Sequence, residues 1–330
     1  MKNNQCAYEN GKQTSPSFEG EEVTYRKAGL KKILGMKPAH FFFYLSIVAL
    51  PVLQYLIFYV YMNLNSFALA FQKYNADTGK YVWNGLENFK KIFLDFQQEE
   101  MMMASVKNSL IYFFFCLIFS NFGTIIFSYY IYKEHLGSKI FKVILYAPHI
   151  VSTVIVVIMY TYFVDTTIPS IWQDLFKEEI YGLLANKATR YVSVLFFSIW
   201  ISFGTQVLVY SGTMSSISES IIESAKLDGI TPVKELFLIV IPMVWPTTVT
   251  FIVSAVAGIF TNQMQLFSFF GPNASPDMYT FGYLIYVKVF QGSMSDYPYL
   301  SALGMMMTFI AVPLTLLIKK ALEKYGPSVN

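Results

Sequence analysis

Six apolar runs alternate with polar interludes along the chain, at about residues 41–62, 106–132, 143–164, 191–213, 243–270 and 299–318. At 1.5 Å of rise per residue, about 20 apolar residues cover a hydrocarbon core of about 30 Å. The pattern therefore predicts an all-α membrane protein with six transmembrane helices. A polar tail (1–38) precedes the membrane domain (39–320), and a short tail (321–330) follows it. The interlude 63–104 contains the turn signal Asn75-Ala-Asp77-Thr-Gly79 and the amphipathic segment Gly85 to Phe93. In the interlude 165–189, Ile171, Leu175, Ile180 and Leu183-Leu184 alternate with Asp174, Lys177, Glu178 and Glu179 at helical spacing.

The interlude 214–242 carries a different kind of punctuation. Ser218 is placed to cap a short helix, and Gly229 supplies a left-handed position to end it. Thr231 then caps a second helix with Pro232 at its first position, and Pro242 is expected to stop that helix. Two short helices around a tight turn read as a docking hairpin rather than as a plain connector.

Composition excludes most soluble classes, since 55% of residues are hydrophobic and 14% charged, against about 25% charged in ordinary globular chains. The net charge of +3 is spread over the interludes and gives no reason to expect nucleic-acid binding. Cys6 and Cys116, one in the polar tail and one inside an apolar run, do not suggest a disulfide framework or thiolate cluster, and His40, His135 and His149 lack ligand spacing. The tails, the 133–142 loop and the hairpin hold about fifteen Lys and Arg, against about eight in the alternate loops, so both termini and the hairpin are expected in the cytoplasm. No apolar run starts before Pro38, so the tail does not read as a signal peptide.

The hairpin also carries a family likeness. Glu223-Ser224-Ala225, then Asp228-Gly229 and, after nine intervening residues, Ile239-Val-Ile-Pro242 resemble the Glu-Ala-Ala loop of ATP-binding-cassette (ABC) importer permeases. Ser216-Ile217 and Asp228-Gly229 are similar to the carbohydrate branch, that of the larger maltose-permease subunit and the glycerol-phosphate permease. Ser224 stands where that family usually has Ala, and Ile241 where it usually has Leu. The resemblance implies a type I permease fold in which a coupling helix pair enters a groove on an ATPase. It further implies that Glu223, Ser224, Ala225, Asp228, Gly229, Phe237 and Pro242 form the ATPase-coupling surface.

The partners it implies are a second homologous permease subunit, two ATPase subunits, an extracellular sugar-binding protein and a sugar or oligosaccharide, in the inner membrane of a bacterium. No cofactor is expected in this chain. Gly11-Lys12 and Gly79-Lys80 lack the Ser or Thr and the upstream glycine of a phosphate-cradling loop, so ATP and its magnesium are assigned to the ATPase subunits and this chain is read as non-catalytic.

A transport path needs polar and small residues that would be costly facing lipid. On the fifth run, Ser254, Gly258, Thr261, Asn262 and Gln265 recur at helical steps. On the fourth, Ser202 and Gln206 join Ser198 and Thr205, with Trp200 and Tyr210 as stacking surfaces for a sugar ring. Hydroxyls and amides both donate and accept, which suits an uncharged polyhydroxylated solute. Helix-packing seams concentrate the same residue types and are the competing reading. The other function class, an ion-coupled secondary transporter of a small polar solute, predicts ionisable groups at mid-membrane. Here Lys107 and Asp165 lie at the ends of their runs.

Overall fold

The computed structural model describes residues 38–327, so the basic tail expected over 1–38 lies almost wholly outside the described residues. The chain divides into two units, 1–65 and 66–330. The described part of the first is helical from Pro38, with wide π-type turns over Tyr55–Tyr61.

Among the described residues, six helices are long and apolar enough to cross a membrane: α1 (Phe42–Ala70), α3 (Glu100–Tyr132), α5 (Thr153–Phe176), α6 (Lys187–Ser215), α8 (Pro232–Ala257) and α11 (Tyr297–Tyr325). Between them lie α2 (Glu87–Gln98), α4 (Ser138–Ile150), α7 (Glu219–Leu227), α9 (Leu266–Phe270) and α10 (Phe281–Gln291). The loop after α1 also forms a small antiparallel hairpin, β1 (Gln72–Asn75) with β2 (Lys80–Trp83), which hydropathy did not predict. Asn75 closes its turn by accepting the Asp77 N–H at 2.9 Å.

The second unit has two main layers of packing. Towards one end, Ile92, Met102, Leu184, Val194, Leu266, Met278, Phe281, Tyr283 and Leu303 gather the loops and α10 around α3, α6 and α11. Towards the other, Ile125, Tyr129, Tyr210, Met214, Ile222, Leu236, Val240 and Val244 bind α7 and the start of α8 to α3 and α6.

Three expectations are corrected. The apolar run 143–164 is not one helix: Val151 and Ser152 are extended (ψ 146° and 131°), so α4 ends just after Pro148 and α5 begins a new direction. Both sides of the break are apolar, which is why hydropathy passes over it. α5 then continues to Phe176 through π-type turns at Phe163–Thr167, where Asp165 accepts the Leu184 N–H at 2.8 Å.

The fifth run breaks too, since α8 ends at Ala257 and residues 258–265 are irregular. Finally, Pro242 does not stop the second hairpin helix. Leu236–Val240 adopt π-type turns, and this wider register carries α8 across the proline's missing N–H without a stop. Ser218 and Thr231 occupy extended cap positions, yet neither side chain makes a capping hydrogen bond.

Candidate functional site

Two sites follow from this architecture: a cavity inside the bundle and the hairpin at one end of it. The cavity has a volume of about 230 Å³ and is walled by three helices. α3 contributes Tyr112, Phe113, Cys116, Ser120 and Asn121; α6 contributes Ser202 and Gln206; the end of α8 and its continuation contribute Phe251, Ser254, Gly258 and Asn262. Among the described residues, no carboxylate, ammonium, guanidinium or imidazole lines it.

Hydroxyls and amides knit two of the walls together. Ser120 Oγ lies 2.9 Å from Ser202 Oγ and donates to Gln206 Oε1 at 2.8 Å. Thr124 Oγ1 donates to the same oxygen at 3.1 Å. Neighbouring Asn121 is buried, its amide nitrogen donates to the Leu117 carbonyl at 3.1 Å, and its Oδ1 accepts nothing. Leaving that amide oxygen unpaired in a buried wall costs free energy that a hydrogen-bond donor reaching it would recover.

The wall from α8 is built differently. Past Ala257 the backbone turns on itself: Asn262 N–H donates to the Gly258 carbonyl at 3.0 Å, and Asn262 Oδ1 accepts the Met264 N–H at 2.7 Å. Met264 and Gln265 both take left-handed conformations (φ 50° and 56°). Irregular backbone at membrane depth is stable only where protein groups satisfy it. Here Ser198 Oγ donates to the Met264 carbonyl at 3.1 Å and Thr280 Oγ1 to the Asn262 carbonyl at 2.9 Å. α10 seals the loop so closely that a Cβ at Gly282 would collide with the Thr261 carbonyl oxygen.

Of the predicted path residues, Ser202, Gln206, Ser254, Gly258 and Asn262 thus share one cavity. Thr261 and Gln265 do not. Thr261 opens instead on a groove with Phe260, Ile285 and Met307, and Gln265 faces Ser268 at the start of α9. The expected stripe fails there because the helix that would align it has ended. Trp200 lines a separate apolar recess with Ile144, Pro148 and Met159, while Tyr210 is buried and donates to Thr248 Oγ1 at 3.0 Å. The cavity's aromatic residues are Tyr112, Phe113 and Phe251 instead. The α3 wall escaped the sequence reading, although Tyr112, Cys116 and Ser120 recur at steps of four in the second run and Asn121 adjoins them.

The hairpin presents an exposed face and a buried one. Glu223, Ser224, Asp228 and Gly229 are exposed and Ala225 half-buried, with Gly229 at φ 74° making the bend. Leu227 is 90% exposed and Val233 and Phe237 are exposed too, so the hairpin that carries Glu223 and Asp228 also holds large apolar side chains in the open. Pro242 is half-buried at the far end. On the opposite face Ile222, Leu236 and Glu235 are buried. Such a mixed surface is suited to covering by another protein.

A bundle of broken and continuous membrane helices with a helical hairpin between the fourth and fifth defines the type I importer permease class. Two solved structures have this arrangement of the chain: that of a bacterial ABC transporter involved in the import of the acidic polysaccharide alginate, with TM-score 0.73 and 20% identity over 86% of this chain and 96% of that one; and the bacterial alginate ABC transporter in complex with an alginate pentasaccharide-bound periplasmic protein, with TM-score 0.69 and 19% identity over 87% and 96%. Residues 122–325 match the family of binding-protein-dependent transport system inner membrane components, and the chain belongs to that family.

Among curated proteins it is similar to the probable ABC transporter permease protein YurN of Bacillus subtilis, 29% identical over 42% of this chain and 46% of the relative. It is also similar to the probable ABC transporter permease protein MG188 homolog of Mycoplasma pneumoniae, 32% identical over 30% of this chain and 29% of the relative. The matched stretches span less than half the length of these relatives.

Proposed function

We propose that this chain is the permease subunit of an ABC importer that passes an uncharged saccharide through the cavity between α3, α6 and α8. The observation that carries this reading is the lining itself: Ser120, Asn121, Ser202, Gln206, Ser254 and Asn262 offer donors and acceptors without a formal charge among them. Such groups replace the hydration of hydroxyls, whereas an anionic solute needs a cation to offset its desolvation. The structural neighbours import acidic alginate, so the neutral lining argues for a different solute here. Tyr112, Phe113 and Phe251 would supply apolar faces for a sugar ring.

In this reading the hairpin lies in the cytoplasm with both termini, and Glu223, Ser224, Ala225, Asp228, Gly229 and Phe237 contact one of two ATPase subunits that bind ATP and magnesium. A second homologous permease completes the path, and an external binding protein delivers the sugar. Nucleotide-driven movement of the ATPases displaces the hairpin and opens the cavity alternately to the two sides. An ion-coupled carrier would need a charged group in the cavity, and among the described residues no carboxylate, ammonium, guanidinium or imidazole lines it.

The test is to reconstitute the complex and measure which saccharides, delivered by the binding protein, stimulate ATP hydrolysis. Neutral sugars are expected to stimulate and uronate oligomers are not. Stimulation by uronates alone, or transport by the chain without an ATPase, overturns the proposal.

A further inference from the structure

The buried face of the hairpin carries a charge that neither the cavity nor the exposed face explains. Glu235 is 3% exposed. It forms an ion pair with Lys133, whose side chain is itself only 18% exposed. Lys133 follows the last residue of α3, and its ammonium lies 5.5 Å from the ring centres of both Tyr129 and Tyr132. Tyr129 adds a second link, its hydroxyl donating to the Pro232 carbonyl at 2.9 Å. Tyr129 also belongs to the apolar cluster of Ile125, Met214, Ile217, Ile222, Leu236 and Val240.

A buried pair of this kind is weak support for stability, because desolvating two charges offsets most of their attraction. What it provides is direction and register, since an ammonium on a carboxylate fixes one element against another more sharply than apolar contacts do. α3 is also the helix that carries Ser120 and Asn121, and nine residues from Tyr129 to Ser120 are about 13 Å of helix. Along the chain the hairpin follows α6, and its second helix, which carries Glu235, is the start of α8. The pair therefore gives the hairpin a hold on the third cavity wall, to which no covalent link leads.

We propose that Lys133, Glu235 and Tyr129 are positioning residues that clamp the coupling hairpin to α3, so that displacement of the hairpin is passed to the α3 wall of the cavity as well as to α6 and α8. The inference rests on the permease reading above. It predicts a particular failure: a hairpin freed from α3 still engages the ATPase, but hydrolysis no longer moves solute.

Four variants test it: Glu235→Gln, Lys133→Met, the apolar pair Lys133→Met with Glu235→Leu, and the swapped pair Lys133→Glu with Glu235→Lys. In the purified subunit, hydrogen exchange of the amides in 231–241 is expected to rise about tenfold or more in Glu235→Gln, with α11 unchanged. In the reconstituted complex, both single variants should co-purify with the ATPase and hydrolyse ATP, with solute moved per ATP down about tenfold. The swapped pair should recover most of that ratio, whereas the apolar pair should recover thermal stability without it. If the single variants fail to fold, these two pairs decide the matter between them.

Unchanged exchange over 231–241 overturns the clamp, as does a normal ratio of solute to ATP in Glu235→Gln or in the apolar pair. Loss of ATPase co-purification would also overturn it, by making Glu235 part of the docking fold alone. Raised exchange alongside a wild-type complex that moves no saccharide would leave the clamp standing and sink the permease reading.

Discussion

The cavity's α6 and α8 walls look alike in sequence and are built on opposite principles. α6 is an uninterrupted helix of 29 residues, so Ser202 and Gln206 stand one turn apart with their backbone groups already paired. α8 stops at Ala257, and beyond it the polar residues divide their bonding between the cavity and the backbone: Asn262 lines the cavity while its Oδ1 holds the Met264 N–H. A polar side chain on a continuous helix leaves the backbone to look after itself and spends its bonds on other side chains, as Gln206 does on Ser120 and Thr124. One on a broken helix is partly committed to keeping the break in place.

The largest expected effect comes from loading the broken wall. Gly282→Val places carbon against the Thr261 backbone, and no flexible side chain is there to yield. Overpacking of this kind costs about 1–3 kcal/mol or more, so folded yield and the unfolding temperature should fall sharply and uptake should vanish with them. Gly258→Ala is the control. Its Cβ would meet carbonyl oxygens at 3.4 and 3.6 Å, which is ordinary contact, so it should fold normally.

Next comes the exposed face of the hairpin, where structure and function separate. Gly229 has open space around it but a φ of 74°. Gly229→Val should therefore cost about 1–2 kcal/mol of local backbone strain and disturb the bend without preventing membrane insertion. Together with Glu223→Ala, it is expected to abolish uptake and reduce ATPase co-purification while the subunit still reaches the membrane. Solute-stimulated hydrolysis at the wild-type rate in either variant would remove these residues from the coupling surface.

The spans and the hairpin were legible in the sequence because apolar length and Gly229 each report a strong, local constraint. The breaks were not. Val151-Ser152 and the 258–265 turn lie inside runs that remain apolar or weakly polar, and what permits them is distant: Ser198, Thr280 and Gly282 satisfy or make room for the second. Periodicity consequently put Thr261 and Gln265 on a helix face that does not exist, and it gave Pro242 a helix end that π-type turns at Leu236–Val240 remove. The α3 wall was recoverable from Tyr112, Cys116 and Ser120 at steps of four, but among so many aromatic residues the spacing had no contrast. Glu235 carries no signal in the sequence, and only its burial sets it apart.

The finest comparison sets single polar residues of the two walls side by side. Gln206→Ala removes the acceptor of Ser120 and Thr124 on an intact helix, so the helix keeps its own bonds and the loss falls on solute handling and on α3. Asn262→Ala should lower uptake as well and, because the Met264 N–H loses its partner, also destabilise the subunit by about 1 kcal/mol. A fall in unfolding temperature in Asn262→Ala that exceeds that in Gln206→Ala would support the division of roles, and the reverse order would refute it. Thr261→Ala and Gln265→Ala, outside the cavity, should change transport by less than about twofold, the scatter expected of substitutions that break no buried bond. A large defect in either would mean that the turn rearranges during the cycle to bring that side chain to the solute, and the distinction between a fixed and a committed wall would have to be redrawn around a moving one.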